Sequence, residues 1–279
     1  MTDDVLPHRH RALWISDVHL GSRGCRAADL LDFLRHHDAD VVYLVGDVID
    51  GHALRRGWHW PQAHNDVVQK LLRKARKGTR VVYTPGNHDE FARAYVGHRF
   101  GGIDVEDEVV HVTADGRRFL VVHGDRYDPV VTRHRWMVPL AHAFLWLLRR
   151  LGVATAWRLV HPLFGRPYRS LASFVKSRAN LALAALCDFE RRAAAEARRR
   201  GLDGVVCGHV HIPAMRTIDG VLYVNDGDWV DACSALVEHA DGRLELVRWR
   251  APRATPGVKA PSGASADAKA RAPAYAYSL

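Results

Sequence analysis

Five short clusters in this 279-residue chain carry side chains able to hold divalent cations, and each stands directly behind an apolar run. Residues 12–16 lead into Asp17 and His19, and residues 41–45 into Gly46 and Asp47. Residues 81–84 lead into Pro85-Gly86-Asn87-His88-Asp89. Residues 119–122 lead into His123-Gly124-Asp125, and residues 204–207 into Gly208-His209-Val210-His211. Carboxylate, carboxamide and imidazole without thiolate form a donor set for hard or borderline divalent ions. One such cluster alone is as well explained by a turn or a cap. Five in succession, at loop tips where packing gains nothing from Asp, His or Asn, call for a shared ligand.

The elements that must position them follow from the runs. Short segments rich in Val and Tyr read as buried strands. Between several of them lie helical patterns, 27–37 with Leu30, Leu31 and Leu34, and 63–77 with Val67, Val68, Leu71 and Leu72. Strands alternating with helices predict an α/β domain with a largely parallel or mixed sheet and ligands beyond its carboxyl ends. After Gly220 the runs 221–224, 234–237 and 244–247 are separated only by turns such as Asp241-Gly242. That helix-free meander predicts a second sheet.

The charge balance singles out one stretch. The net charge is +9, yet residues 129–187 contain nine Arg and Lys and no acidic residue. A chain basic in one place has a located anionic partner rather than a generally adhesive surface. The same stretch supplies Trp136, Phe144, Trp146, Leu147, Leu148 and Trp157. It approaches membrane-spanning length, but Arg149 and Arg150 near its middle make a true span costly. We read 129–200 as a helical, basic and apolar insertion that caps the core and meets an anionic membrane surface, with 170–200 a single helix stopped by Gly201. Residues 251–279, almost free of large apolar side chains, read as a disordered tail. No apolar leader is visible in the first twelve residues, and Cys25, Cys187, Cys207 and Cys233 form no CxxC pair. They read as reduced, packed thiols, and a cytoplasmic location follows.

The ordered set D-x-H, G-D-x-x-D, G-N-H-D, H-G-D and G-H-x-H resembles the calcineurin-like metallophosphoesterase superfamily over about residues 12–249. Longer strings, among them ISDVHLGSRGC, LVGDVIDG and GDWVDACSALVEHADGRLE, resemble its UDP-2,3-diacylglucosamine diphosphatase branch, which serves lipid A biosynthesis. The resemblance implies a four-layer αββα sandwich (residues 1–250) with the cap inserted at about 129–200. It implies two divalent metals, one held by Asp17, His19, Asp47 and His211, the other by Asp47, Asn87, His123 and His209, with Asp47 bridging. Mn²⁺ is the first choice, with Fe²⁺, Mg²⁺ and Zn²⁺ open. Two such cations outweigh two aspartates and a bridging hydroxide by one positive charge, which suits in-line attack on a phosphoryl group. His88 would act on the transition state or leaving group, with Asp89 orienting its ring. Asp50, Asp125 and Asn225 would support the ligands, and Ser173, Lys176, Arg178 and Asn180 of the insertion would hold a glucosamine phosphate.

These expectations describe a hydrolase of a nucleotide-linked lipid, peripheral on the inner face of the cytoplasmic membrane. The oligomeric state stays open. A phosphodiesterase or phosphatase of the same fold, acting on another nucleotide, a phospholipid or a nucleic acid, is the alternative and keeps the same metals. Of these, nucleic acid is not expected, because the charge is mixed with Leu and Val rather than lining an aromatic groove. A non-enzymatic scaffold is disfavoured by intact motifs at all five strand ends. Among the remaining histidines, His36, His37, His52, His59, His98, His111, His134 and His239 are read as surface residues. His64 and Asn65 are left between the surface and the cleft.

Overall fold

The computed structural model describes residues 7–128 and 187–249. Two sheets lie face to face. The first contains β1 (His8–Ile15), β2 (His37–Val45), β3 (Arg80–Thr84), β4 (Arg99–Phe100), β5 (Ile103–Val105), β11 (Ser234–Glu238) and β12 (Leu244–Arg248), in the order β12-β11-β1-β2-β3-β5-β4. The second contains β6 (Val109–Val112), β7 (Arg118–Val121), β8 (Gly204–Cys207), β9 (Ala214–Ile218) and β10 (Val221–Asn225), in the order β6-β7-β8-β10-β9. Strands β1, β2 and β3 are mutually parallel, as are β7, β8 and β10.

Period-two alternation sorts each strand between two cores. Ala12, Trp14, Tyr43, Val45, Phe119, Val121 and Val206 point inward and fill the space between the sheets. Leu13, Ile15, Val42 and Leu44 point outward onto α1 (Ala27–His36) and α3 (Gln62–Arg76). Leu120, Val205 and Cys207 point outward onto Phe189, Ala193, Ala194 and Ala197 of the helical residues 187–199. Strands buried on both faces explain why the sequence shows continuous apolar runs rather than alternation. The layers therefore run helix, sheet, sheet, helix, the expected αββα sandwich.

Several expectations need correction. The C-terminal meander does not form one sheet. β10 joins the second sheet, whereas β11 and β12 extend the first, β11 pairing antiparallel with β1. The chain changes sheets through Asp226–Trp229, where Ser16 Oγ donates to Asp226 and the Trp229 N–H donates to the Asp17 carbonyl. Strands β4, β5 and β9 and the short helix α2 (Gly51–Arg56) carried no legible apolar run, and the Val109-Val110-His111-Val112 run of β6 was not singled out. Helix α1 stops at His36, and His37 opens β2 as a buried residue; His111 is buried too, so neither is a surface histidine. His64 is buried and accepts the Gly21 N–H at Nδ1, a prop for the loop after Asp17 rather than a cleft residue. Cys187 is exposed, not packed. Most of the insertion and the whole tail lie outside the described residues. Among the described residues no helix is long and apolar enough to cross a membrane.

Candidate metal centre

All five clusters emerge at one edge of the sandwich, because parallel strands present their carboxyl ends together. The loops that follow are tightly wound. Asp17, His19, Asp47, His209 and His211 all take positive φ, between 50° and 71°. Such backbone is uncommon outside glycine and, when it clusters, marks functional sites. Backbone bonds lace the loops together, with Asp17 N–H to Gly46 O at 3.0 Å and His19 N–H to Asp47 O at 2.9 Å. Glycine is needed where the loops touch. A Cβ on Gly208 would overlap Asp17 Oδ2, and one on Gly46, itself at φ +77°, would overlap the His123 ring.

The side chains then converge in three overlapping groups, Asp17/His19/His211, His19/Asp47/His88 and Asp17/Asp47/His123, each with donor atoms within 4.8 Å of one another. His211 Nε2 is 3.2 Å from Asp17 Oδ1, and His123 Nε2 is 3.5 Å from Asp47 Oδ2. Asp17 is thus shared between groups as much as Asp47. His209 lies beside this core, its ring 5.3 Å from that of His123. Its amide donates to Asp17 Oδ2 at 2.9 Å.

Among the buried side-chain atoms without a hydrogen-bond partner are Asp17 Oδ1, Asn87 Oδ1 and His123 Nε2. Orphaned polar atoms are rare in folded proteins and demand an explanation. These three belong to expected ligands, and the surrounding donor set is oxygen and imidazole, so these residues fit divalent cations. The electrostatics agree. Burial alone would favour neutral His123, but Asp47, Asp17 and Asp125 outweigh it and push its pKa well up. Burial likewise opposes the charge on Asp47, yet His123, His88 and His19 hold its carboxyl well below the usual range.

A surrounding set of hydrogen bonds fixes which imidazole nitrogen is presented. His123 Nδ1 donates to Val45 O at 2.9 Å, leaving Nε2 for the centre. His211 Nδ1 pairs with Asp228 Oδ2 at 2.9 Å, and His209 Nε2 with Asp128 Oδ2 at 2.9 Å. Burial resists the Asp228 charge, but His211 and backbone amides lower its pKa to about 2. His88 Nδ1 lies 2.9 Å from Asp50 Oδ1, and its Nε2 points to Asp47 Oδ2 at 4.0 Å. Although burial favours the neutral ring, Asp50 and Asp47 raise the His88 pKa.

Asp89 does not orient His88. Its carboxylate turns back to accept N–H bonds from Asp47, Val48, Ile49 and Gly86, tying the second and third loops together. Asp50 takes the role instead, while also capping α2 through Ala53 N–H at 2.7 Å. Asp125 is held by Arg93, whose Nη2 lies 2.8 and 2.9 Å from its two oxygens. Asn225 Nδ2 donates to Gly208 O at 2.6 Å and steadies the turn before His209. The sequence reading missed Asp228, Asp128, Arg93 and the Ser16–Asp226 pair; of these Ser16 and Asp228 stood in strings already singled out. Ser173, Lys176, Arg178 and Asn180 lie outside the described residues.

A two-sheet sandwich with Asp, Asn and His gathered at the carboxyl ends of its parallel strands defines a metal-dependent phosphoesterase. The family model for calcineurin-like phosphoesterase matches residues 10–213, and the chain belongs to that family. It is 29% identical over 245 residues to a UDP-2,3-diacylglucosamine hydrolase of Xanthomonas campestris pv. campestris (strain 8004), covering 82% of this chain and 96% of the relative. It is 26% identical to the enzyme of that name from Edwardsiella ictaluri, covering 73% and 76% respectively. A phosphoesterase structure from E. coli aligns with a TM-score of 0.40 at 15% identity, over 86% of this chain and 99% of that one. The protein is a metallophosphoesterase, and its family implies divalent metal ions.

Proposed function

We propose that this enzyme hydrolyses the pyrophosphate of UDP-2,3-diacylglucosamine, giving UMP and 2,3-diacylglucosamine 1-phosphate at the inner face of the cytoplasmic membrane. The observation that carries the chemistry is the convergence of Asp17, Asp47 and His123, with Asp17 Oδ1 and His123 Nε2 buried and unbonded. The substrate is supported by relatives of that name matched over nearly their whole length. Asp17, His19, Asp47 and His211 would hold one cation and Asp47, Asn87, His123 and His209 the other, with Mn²⁺ the first choice. Bound there, the cations supply Lewis acidity toward the phosphoryl oxygens and a lowered pKa for water.

The chain's own residues do the rest. The Val45 and Asp228 carbonyl and carboxylate fix the tautomers of His123 and His211. Asp50 holds the proton on His88 Nδ1, so that Nε2 faces the reacting phosphoryl group and carries a proton to the departing oxygen. Water oxygen becomes bonded to the UMP phosphorus. The bond from that phosphorus to the bridging oxygen breaks, and the bridging oxygen leaves with the sugar phosphate.

The test is hydrolysis in H₂¹⁸O by the Mn²⁺-loaded protein. Label is expected in UMP; turnover of bis-p-nitrophenyl phosphate without turnover of the lipid would assign another substrate to the same site. The membrane contact rests on the charge and aromatic content of residues 129–187. Binding to vesicles should require acidic lipid and weaken with salt and in the double variant Arg149→Glu, Arg150→Glu. Equal binding to neutral and acidic vesicles removes the membrane from the proposal.

A further inference from the structure

Beyond His88 the chain runs into the 3₁₀ helix Glu90–Tyr95, whose first aromatic, Phe91, is 48% exposed. An exposed aromatic is unremarkable alone; its neighbours are what matter. Tyr95 and Phe100 pack edge to face on each other at 5.5 Å, but Phe91 has no ring partner among the described residues. Its ring lies over the start of α2, 3.6 Å from where a Cβ on Gly51 would stand. The Gly51 N–H donates to the His88 carbonyl at 3.0 Å, so α2 and the His88 loop form one rim.

Next along α2, exposed His52 brings its ring within 4.7 Å of His88. Arg55, exposed and one turn further on, shares that helix face. One rim of the metal centre thus offers an unpaired aromatic face beside the imidazole of His52 and the guanidinium of Arg55. The opposite rim differs. There His209 touches Asp128 at 2.9 Å and Phe189 at 5.7 Å between ring centres, the two points where the described chain departs toward residue 129 and resumes after residue 186.

We infer that the α2 rim is the nucleoside monophosphate subsite, with the base stacked on Phe91 and the nucleotide phosphate beside His52 and Arg55. The inference rests on the proposed nucleotide-linked substrate and gives it a direction. The nucleotide lies toward α2, and the lipid-bearing half lies toward the opposite rim at His209. Stacking on an aromatic side chain is tolerant of base identity, so Phe91 selects for a base rather than for uracil.

Calorimetric titration of the full-length, Mn²⁺-loaded protein with UMP and with ribose 5-phosphate separates the two contacts. The wild type should bind UMP more tightly. Phe91→Ala should weaken UMP about tenfold, the scale of one base–aromatic stack, and leave ribose 5-phosphate unchanged, which also reports that the variant is folded. Phe91→Tyr should retain UMP binding, and Arg55→Ala should weaken both ligands by the same factor. Equal affinity of the wild type for the two ligands, or parallel losses in Phe91→Ala, overturns the subsite. So does a Phe91→Ala defect seen only in vesicle binding, which would give this rim to lipid. Failure to hydrolyse UDP-2,3-diacylglucosamine with these titrations as expected would fell the substrate and leave the subsite standing. The reverse pattern would fell the subsite alone.

Discussion

Histidines gather at both ends of the first sheet, and the two gatherings behave in opposite ways. At the carboxyl end His19, His88, His123 and His211 interleave with Asp17, Asp47, Asp50 and Asp228. The loops there are held in positive φ, and donor atoms of Asp17, Asn87 and His123 have no protein partner. At the amino end His10 Nε2 and His37 Nδ1 bond each other at 2.8 Å, their rings stacked at 5.1 Å, with His8 and His239 rings at 5.5 and 5.6 Å. Burial, and then the neighbouring histidines, drive the His37 pKa down to about 4. At the carboxyl end carboxylates raise the His88, His123 and His211 pKa values against the same burial. Residue type therefore does not separate a metal centre from a packed cluster. What separates them is whether carboxylates converge on the rings; an unbonded donor alone does not, since His10 Nδ1 at the amino end is also buried without a partner.

The sharpest way to break this contrast is Asp47→Ala, which removes the carboxylate that reaches His19, His88 and His123. Elemental analysis should find both metals lost. Activity should fall by a factor on the order of a thousand, the scale of a preorganised charge at a reacting centre. Full metal occupancy in that variant would sink the assignment. His88→Ala should keep its metal but lose turnover by about a hundredfold, the lower range for a positioned acid or base. Loss of metal in parallel would make His88 a ligand, as its place in one donor group permits.

Asp228→Asn tests the hydrogen bond to His211 Nδ1 and should weaken metal binding by about tenfold, as outer partners of ligating histidines do, measured by competition with a chelator. The smallest effect belongs to the other end. His37 has its folded pKa depressed from 6.5 to about 4, so its contribution is intact above about pH 6.5 and is lost as pH falls toward 4. The loss is at most about 3 kcal/mol for a shift of this size. Urea midpoints across that window should fall less steeply for His37→Leu than for the wild type. Identical slopes would show that the amino-end cluster carries no buried neutral histidine.

The sequence by itself determined the parallel strands and the site's location. Doubly buried strands must be apolar throughout, and their carboxyl ends, where the runs break, must share an edge. Of the ligands named from that pattern, Asp17, His19, Asp47, His123 and His211 stand in the converging donor groups, and Asn87 and His209 do not. Tertiary structure alone decided the partners. Asp50 reaches His88, Asp228 reaches His211 and Arg93 reaches Asp125 across separations of 38, 17 and 32 residues that no local pattern encodes. It also sent β11 back to β1, and it turned Asp89 from an expected ring partner into an acceptor for four backbone amides. A carboxylate's role depends on which donors surround it after folding, and those donors are supplied by chain segments that meet only when the two sheets close.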